Sequence, residues 1–196
     1  MKNLQKRFLF LIIIVLVSSC FTSCSMFSKA LLRITGDYKK PQYEETSDII
    51  EYCEKAGVKY DEIWIAKNEN NRRLLNETFI HFVPQVLVFD KTKTNITVEE
   101  GKNCVGTMMF FLNDTLPKLI DTHDTTMFYK ILNNCNVIKS NQNNSTPDYY
   151  FVISWAKYLP KMTLDIFQMI NEQEAVNKTN ASYILLNMDF LKEPDK

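Results

Sequence analysis

Glycine and histidine are scarce in this chain of 196 residues, which has four glycines and two histidines. No glycine-rich loop that could cradle a phosphate occurs in the sequence. His81 and His123 have no second histidine or cysteine at the spacing of metal ligands. Asp121 and Asp124 flank His123, but an acidic loop with one exposed histidine is the more common arrangement. The sequence therefore predicts no metal site and no cofactor.

Basic runs and paired cysteines are also missing. The 23 lysines and arginines equal the 23 acidic residues in number, and no arginine stripe occurs, so nucleic acid is not an expected partner. The five cysteines are too few and too widely spaced for a disulfide scaffold. No Cys-x-x-Cys motif occurs, which removes the usual signature of a dithiol enzyme.

The N-terminus has the pattern of an export signal. Lys2, Lys6 and Arg7 precede an unbroken apolar run over 8–17, and the small residues Ser18 and Ser19 follow it. The apolar run spans only about half of the hydrocarbon core of a bilayer, which disfavours a permanent transmembrane helix. An ordinary signal peptide that ends near cysteines, or an uncleaved anchor, remains the alternative.

The end of this signal, Val17-Ser18-Ser19-Cys20, resembles the lipobox of bacterial lipoproteins. The resemblance implies that Cys20 becomes the lipidated N-terminus. Cys24 is the second candidate, although Phe21 stands where the motif prefers Leu or Val. The lipobox resemblance also implies that the protein is anchored to the membrane of the cell envelope by its lipid and faces the periplasm or the cell surface. We therefore divide the chain into a signal peptide (1–19), a tether (20–43) and a folded domain (44–196).

The folded domain alternates predicted helices and strands. Strands are expected at 63–66, 86–89, 94–99, 149–155 and 182–189, and helices at 49–56, 68–77, 104–112, 125–134 and 161–173. The strand-helix-strand pattern of the last fifty residues predicts two parallel strands joined by a crossover helix. The alternation throughout predicts an α/β fold, with a sheet covered by helices on both faces.

The stretch around Pro84 is the most informative part of this domain. Four consecutive apolar residues, Val86–Phe89, predict a strand that is buried on both faces. Pro84 at its entry cannot donate a hydrogen bond to a sheet. It either begins a core strand with an ordinary peptide bond or carries a cis bond that turns the chain sharply.

Residues 63–90 resemble the second half of a thioredoxin-type domain, and residues 149–189 are similar to the strand-helix-strand half of that family. The resemblance implies a thioredoxin-like mixed sheet flanked by helices. It also implies that Pro84 is cis and that Val83 offers its backbone to an extended peptide. Trp155 and Tyr158 are candidates to line the same cleft, although aromatic residues at a strand end more often pack in the core or at its rim.

Two departures from the family affect the expected function. The two halves occur in reversed order, which a circular permutation would explain. The stretch Lys157–Pro160 replaces the two cysteines of the family, and dithiol exchange requires both thiols within reach. We therefore expect an accessory module that binds a peptide or an envelope protein. The alternatives are a thiol-disulfide oxidoreductase using other cysteines, with Cys53 and Cys104 as candidates, and a structural lipoprotein without a ligand.

Overall fold

A computed structural model describes residues 37–96, 124–141, 146–176 and 180–192. The chain divides into two compact units, Met1–Lys39 and Lys40–Lys196. The predicted signal peptide, both lipidation candidates, Cys104 and the helix expected at 104–112 lie outside the described residues. The second unit starts before the expected boundary, because Tyr43, the last residue of the predicted tether, already forms part of a strand.

Within the described residues, seven strands form two sheets. The strands are β1 (Tyr43–Glu44), β2 (Glu62–Ala66), β3 (Val86–Asp90), β4 (Cys135–Ser140), β5 (Tyr149–Trp155), β6 (Ala181–Asn187) and β7 (Phe190–Leu191). The main sheet has the order β3-β5-β6-β2-β4. Its three central strands are parallel, whereas β3 and β4 run antiparallel to their neighbours. The short strands β1 and β7 pair in parallel.

In the part of the chain that the structure describes, four helices cover the two faces of the main sheet. They are α1 (Thr46–Ala56), α2 (Glu69–Thr78), α3 (Met127–Asn133) and α4 (Pro160–Val176). Apolar residues of α1 and α4 belong to one core cluster, and those of α2 and α3 belong to a second. Successive side chains of a strand point to opposite faces of the sheet, so strands of the main sheet contribute residues to both clusters. In β2, Ile63 and Ile65 belong to the first cluster, and Trp64 and Ala66 belong to the second.

Local sequence explains where the helices begin and end. Before α1, the backbone nitrogen of Glu45 donates a hydrogen bond to the side chain of Asp48 at 3.1 Å, which forms part of a capping box. Gly57 ends this helix in the left-handed conformation, with φ of 63°. Asn68 caps α2 by accepting a hydrogen bond from the backbone nitrogen of Asn71 at 2.9 Å.

The structure confirms the α/β class and a five-stranded mixed sheet consistent with a thioredoxin-like fold. It also confirms the parallel pairing of β5 with β6, and β3 is buried on both faces as expected. The strand expected at 94–99 is present only as an isolated antiparallel bridge at Asn95, and 97–99 lie outside the described residues. Strand β4 and the β1–β7 pair were not predicted.

Candidate functional site

The candidate site lies where the central parallel strands have their carboxyl ends. In the antiparallel pair of β3 and β5, Val86 is opposite Ile153, and the backbone nitrogen of Ser154 donates to the oxygen of Gln85 at 2.8 Å. The hydroxyl of Ser154 also donates to the carbonyl of Phe82 at 3.4 Å, so the loop that contains Val83 and Pro84 lies beside the end of β5. The carboxyl ends of parallel strands are where ligands of open α/β sheets commonly bind.

Val83 is the central residue of this edge. The Val83–Pro84 peptide bond is cis, which confirms the cis alternative for Pro84 over an ordinary peptide bond. Val83 is half-buried, and its backbone nitrogen and oxygen have no hydrogen-bond partner within the part of the chain that the structure describes. The neighbouring Phe82 exposes 41% of its surface. A peptide backbone could therefore pair with Val83.

Two buried polar residues hold this loop against the sheet. The backbone nitrogen of Gln85 donates to the hydroxyl of Ser154 at 2.7 Å. The Gln85 side chain accepts from the backbone nitrogen of His81 at 2.9 Å and donates to the carbonyl of Phe79 at 3.1 Å. These bonds satisfy a loop that would otherwise leave polar groups buried without partners. Sequence reasoning missed both residues, although each interrupts an apolar run and could have been noticed.

The opposite wall of the site is the turn Ala156–Leu159, which connects β5 to α4. The backbone nitrogen of Leu159 donates to the carbonyl of Ala156 at 3.0 Å. The Thr163 hydroxyl donates to the same carbonyl at 2.8 Å. Pro160 is the first residue of α4, a position at which proline's fixed φ suits a helix. The turn Ala156–Leu159 contains no cysteine.

Asp189 occupies the concave side of this turn. Its two carboxylate oxygens accept from the backbone nitrogen of Lys157 at 3.0 and 2.9 Å, and one also accepts from the side-chain amide of Asn187 at 2.7 Å. Asp189 is buried. Burial raises the pKa of this carboxyl, while the hydrogen bonds from the backbones of Lys157 and Tyr158 and from Asn187 act in the opposite direction. Sequence reasoning did not single out Asp189, which reaches the turn from the end of another strand.

Charged side chains near Asp189 come from the turn itself, from β1 and from α2. The ammonium group of Lys157 pairs with Glu44 of β1. On α2, the guanidinium of Arg72 makes two hydrogen bonds of 2.7 Å to Glu69 and lies 4.1 Å from the centre of the Phe190 ring. These cations already have carboxylate partners, so they contribute little net positive charge to this edge.

The two predicted aromatic residues differ in their positions. Trp155 has no exposed surface, stacks on Tyr52 with ring centres 5.6 Å apart and packs edge-on against Phe167. The expectation that Trp155 lines the cleft therefore needs correction, because a fully buried ring supports the site from the core. Tyr158 is half-buried in the turn and remains a candidate for ligand contact.

Neither described cysteine belongs to the loop that contains Val83 or to the turn Ala156–Leu159. Cys53 belongs to α1 and Cys135 to β4, and they sit in different core clusters. Both are free thiols, and burial raises the pKa of each to about 12. Of the two cysteines that the structure describes, Cys135 is therefore not brought to Cys53. Among the described residues, no group of three or more His, Cys, Asp or Glu side chains is placed to hold a metal ion.

A cavity of about 400 Å³ opens at the carboxyl end of β2, with Glu44, Lys67, Asn68 and Glu69 in its wall. Three of these side chains already bond within the protein: Glu44 to Lys157, Glu69 to Arg72, and the Lys67 ammonium to the carbonyl of Asn133 at 2.6 Å. The cavity wall therefore gives no clear preference for a charged ligand.

No protein-family model, curated protein or solved structure matches the chain. The structure itself defines the class, which is an α/β protein with a mixed sheet consistent with the thioredoxin-like arrangement. Within the described ranges, no helix combines the length and the apolar composition needed to cross a bilayer.

Proposed function

We propose that this protein is a non-catalytic accessory module that binds an extended peptide or a segment of another envelope protein at Val83. One observation carries the proposal: the backbone nitrogen and oxygen of Val83 have no partner among the described residues, at the edge where Gln85 and Ser154 fix the loop. An extended peptide would pair with these two groups, as a strand added to a sheet edge does.

The side chains around Val83 indicate which peptides would bind. Phe82 is partly exposed, and Pro84 and Tyr158 are half-buried. Apolar and aromatic surface of this kind favours apolar side chains in the peptide. We therefore propose a ligand with apolar residues on the side that faces the protein.

The buried thiols support binding over catalysis. A thiolate is the nucleophile of disulfide exchange, and the raised pKa values of Cys53 and Cys135 keep both sulfurs protonated at neutral pH. The turn beside Val83 carries Lys157 and Tyr158 instead of cysteines. We further propose that the reversed order of the two halves reflects a rearranged thioredoxin-like domain, since β3 pairs with the later strand β5.

A peptide screen with backbone modification tests the binding proposal. Immobilised full-length protein in detergent would be used to select hexapeptides from a random library. Each backbone nitrogen of a selected peptide would then be methylated in turn. Val83 offers one N–H and one carbonyl, so only one N–H of the peptide faces an acceptor on the protein. Binding should therefore fall when that one nitrogen is methylated and persist at the other positions.

Nuclear magnetic resonance of the same complex locates the peptide. The amide signal of Val83 should shift on binding, whereas that of Val137 on the opposite edge strand β4 should not. Uniform loss of binding with methylation at every position, or a shift confined to Val137, would contradict the proposal. Failure of every library peptide to bind would favour the structural lipoprotein without a ligand.

We also propose that the chain is exported and anchored to the cell envelope by a lipid on Cys20. The support is the basic N-terminus, the apolar run at 8–17 and the sequence that ends at Cys20. Mass spectrometry of the N-terminal peptide from membranes tests this proposal. Cys20→Ser should abolish lipidation, while Cys24→Ser should leave it intact. The opposite result would assign the anchor to Cys24.

A further inference from the structure

Asp189 has an arrangement that the peptide-binding proposal does not use. Its carboxylate lies against successive backbone N–H groups of the turn between β5 and α4, those of Lys157 and Tyr158. Successive N–H groups in a turn form a concave site for an anion. In this protein that site is filled by the chain's own carboxylate, which therefore helps to fix the conformation of the turn.

The turn in question is the wall of the site that faces Val83. Ser154 at the end of β5 bonds to Gln85 and, at 3.4 Å, to the carbonyl of Phe82, so the end of β5 lies beside the loop that contains Val83. Ala156, the first residue of the turn, follows Ser154 by two residues. Tyr158 follows two residues later and is half-buried. A change in the bonds to Lys157 and Tyr158 would therefore alter the groove in which a peptide would lie.

We propose that Asp189 is a positioning residue, whose ionised carboxylate holds the turn Ala156–Leu159 in the form that accepts a peptide beside Val83. The inference rests on the proposed function for its ligand. A protonated carboxyl has one fewer strong acceptor and carries no charge, so it would bind the two N–H groups less tightly. Protonation should then loosen the turn and weaken peptide binding.

The groups facing Asp189 set the range over which it titrates. Glu44 of β1 raises its pKa, in addition to the larger effect of burial. Lys157 in the turn pairs with Glu44, Arg72 of α2 pairs with Glu69, and the pKa of Tyr52 of α1 is itself raised by burial and by Asp189. The transition should therefore occur at a higher pH than that of an exposed aspartate.

Folding stability should change in the opposite direction to peptide affinity. Burial raises the pKa of Asp189 in the folded protein above its value in the unfolded chain. The contribution of this shift to the free energy of unfolding is therefore fully present below the unfolded-state pKa, and it is lost as the pH rises through the folded-state pKa. Lowering the pH should thus stabilise the wild-type fold relative to Asp189→Asn while weakening peptide binding. If Asp189 had only a structural role, lowering the pH would weaken the stability of the fold and the binding of the peptide together.

The experiment follows two signals in the full-length protein as pH is lowered. The first is the amide chemical shifts of Lys157 and Tyr158 without ligand, and the second is the affinity for a hexapeptide from the screen. We expect the shifts to titrate together and the affinity to fall by roughly tenfold, the effect of weakening about one charge-assisted hydrogen bond. Asp189→Asn should show neither pH dependence, whereas Asp165→Asn, at an exposed position on α4, should behave like wild type.

The possible results separate the two proposals. Amide shifts of the turn that do not titrate, or an affinity that stays constant while they do, would overturn the role of Asp189. If no hexapeptide binds at any pH, the proposed function fails, and the amide titration alone decides whether Asp189 sets the conformation of the turn. If Asp189→Asn does not fold, Asp189→Glu, which shifts the carboxylate by one methylene, should alter the turn amides and their titration.

Discussion

The hydroxyl oxygen of Ser154 lies 2.7 Å from the backbone nitrogen of Gln85, and the backbone nitrogen of Ser154 lies 2.8 Å from the carbonyl oxygen of Gln85. These two bonds join the end of β5 to the loop that contains Val83 and Pro84. The site is therefore assembled from segments that are about seventy residues apart in the sequence.

Replacing Ser154 with Ala should destabilise the protein by about 1–3 kcal/mol, because the buried N–H of Gln85 would lose its acceptor. Urea unfolding of both proteins measures the difference in the free energy of unfolding. Ser140→Ala, at an exposed position at the end of β4, serves as the control and should change stability by less than about 0.5 kcal/mol. Equal effects at the two serines would contradict the role of this bond.

Cys53 and Cys135 should resist thiol reagents while the protein is folded. A thiol with a pKa of about 12 is roughly one part in 10⁴ thiolate at pH 8, and both side chains are also shielded from solvent. Labelling followed by peptide mass spectrometry, with and without denaturant, measures this protection at each cysteine. Fast labelling of either residue in the native protein would instead support the oxidoreductase alternative.

Replacing Gly57 with Ala should cost about 1 kcal/mol of stability, since the residue after α1 has φ of 63°. A Cβ atom added there would meet nothing within 4 Å, so the cost arises from the backbone conformation alone. Gly57→Asn should cost less, because asparagine tolerates the left-handed region. Thermal or urea unfolding compares the three proteins, and an asparagine variant less stable than the alanine variant would contradict this explanation.

The ion pair between Lys157 and Glu44 should show a measurable coupling energy. Its side chains are only 22% and 14% exposed, so Lys157→Met leaves Glu44 and Asp189 facing each other without the cation. A double-mutant cycle with Glu44→Gln should give a coupling of about 1–2 kcal/mol. The exposed pair Glu51–Lys55 of α1 is the control and should give about 0.3–0.5 kcal/mol. A coupling energy for Lys157–Glu44 smaller than that for Glu51–Lys55 would show that β1 does not support the turn.

The sequence predicted the elements whose signals are local. The apolar run Val86–Phe89 and the periodic apolar residues of α4 each indicate structure through neighbouring residues. Strand β4 was missed because only Cys135 of its six residues is buried, which leaves little apolar pattern at this edge of the sheet. The β1–β7 pair was missed because each strand has two residues and gains its partner from the far end of the chain.

Sequence alone determined the α/β class and the buried strand that follows Pro84, because alternating patterns and an apolar run are visible in consecutive residues. Tertiary structure decided that Trp155 is a core residue, that Ser154 and Gln85 fasten the loop, and that Asp189 fills the turn. Hydrogen bonding and burial at these positions depend on which strands become neighbours. Pairing of distant strands follows from how the whole chain buries its apolar surface, and no short stretch of sequence specifies it.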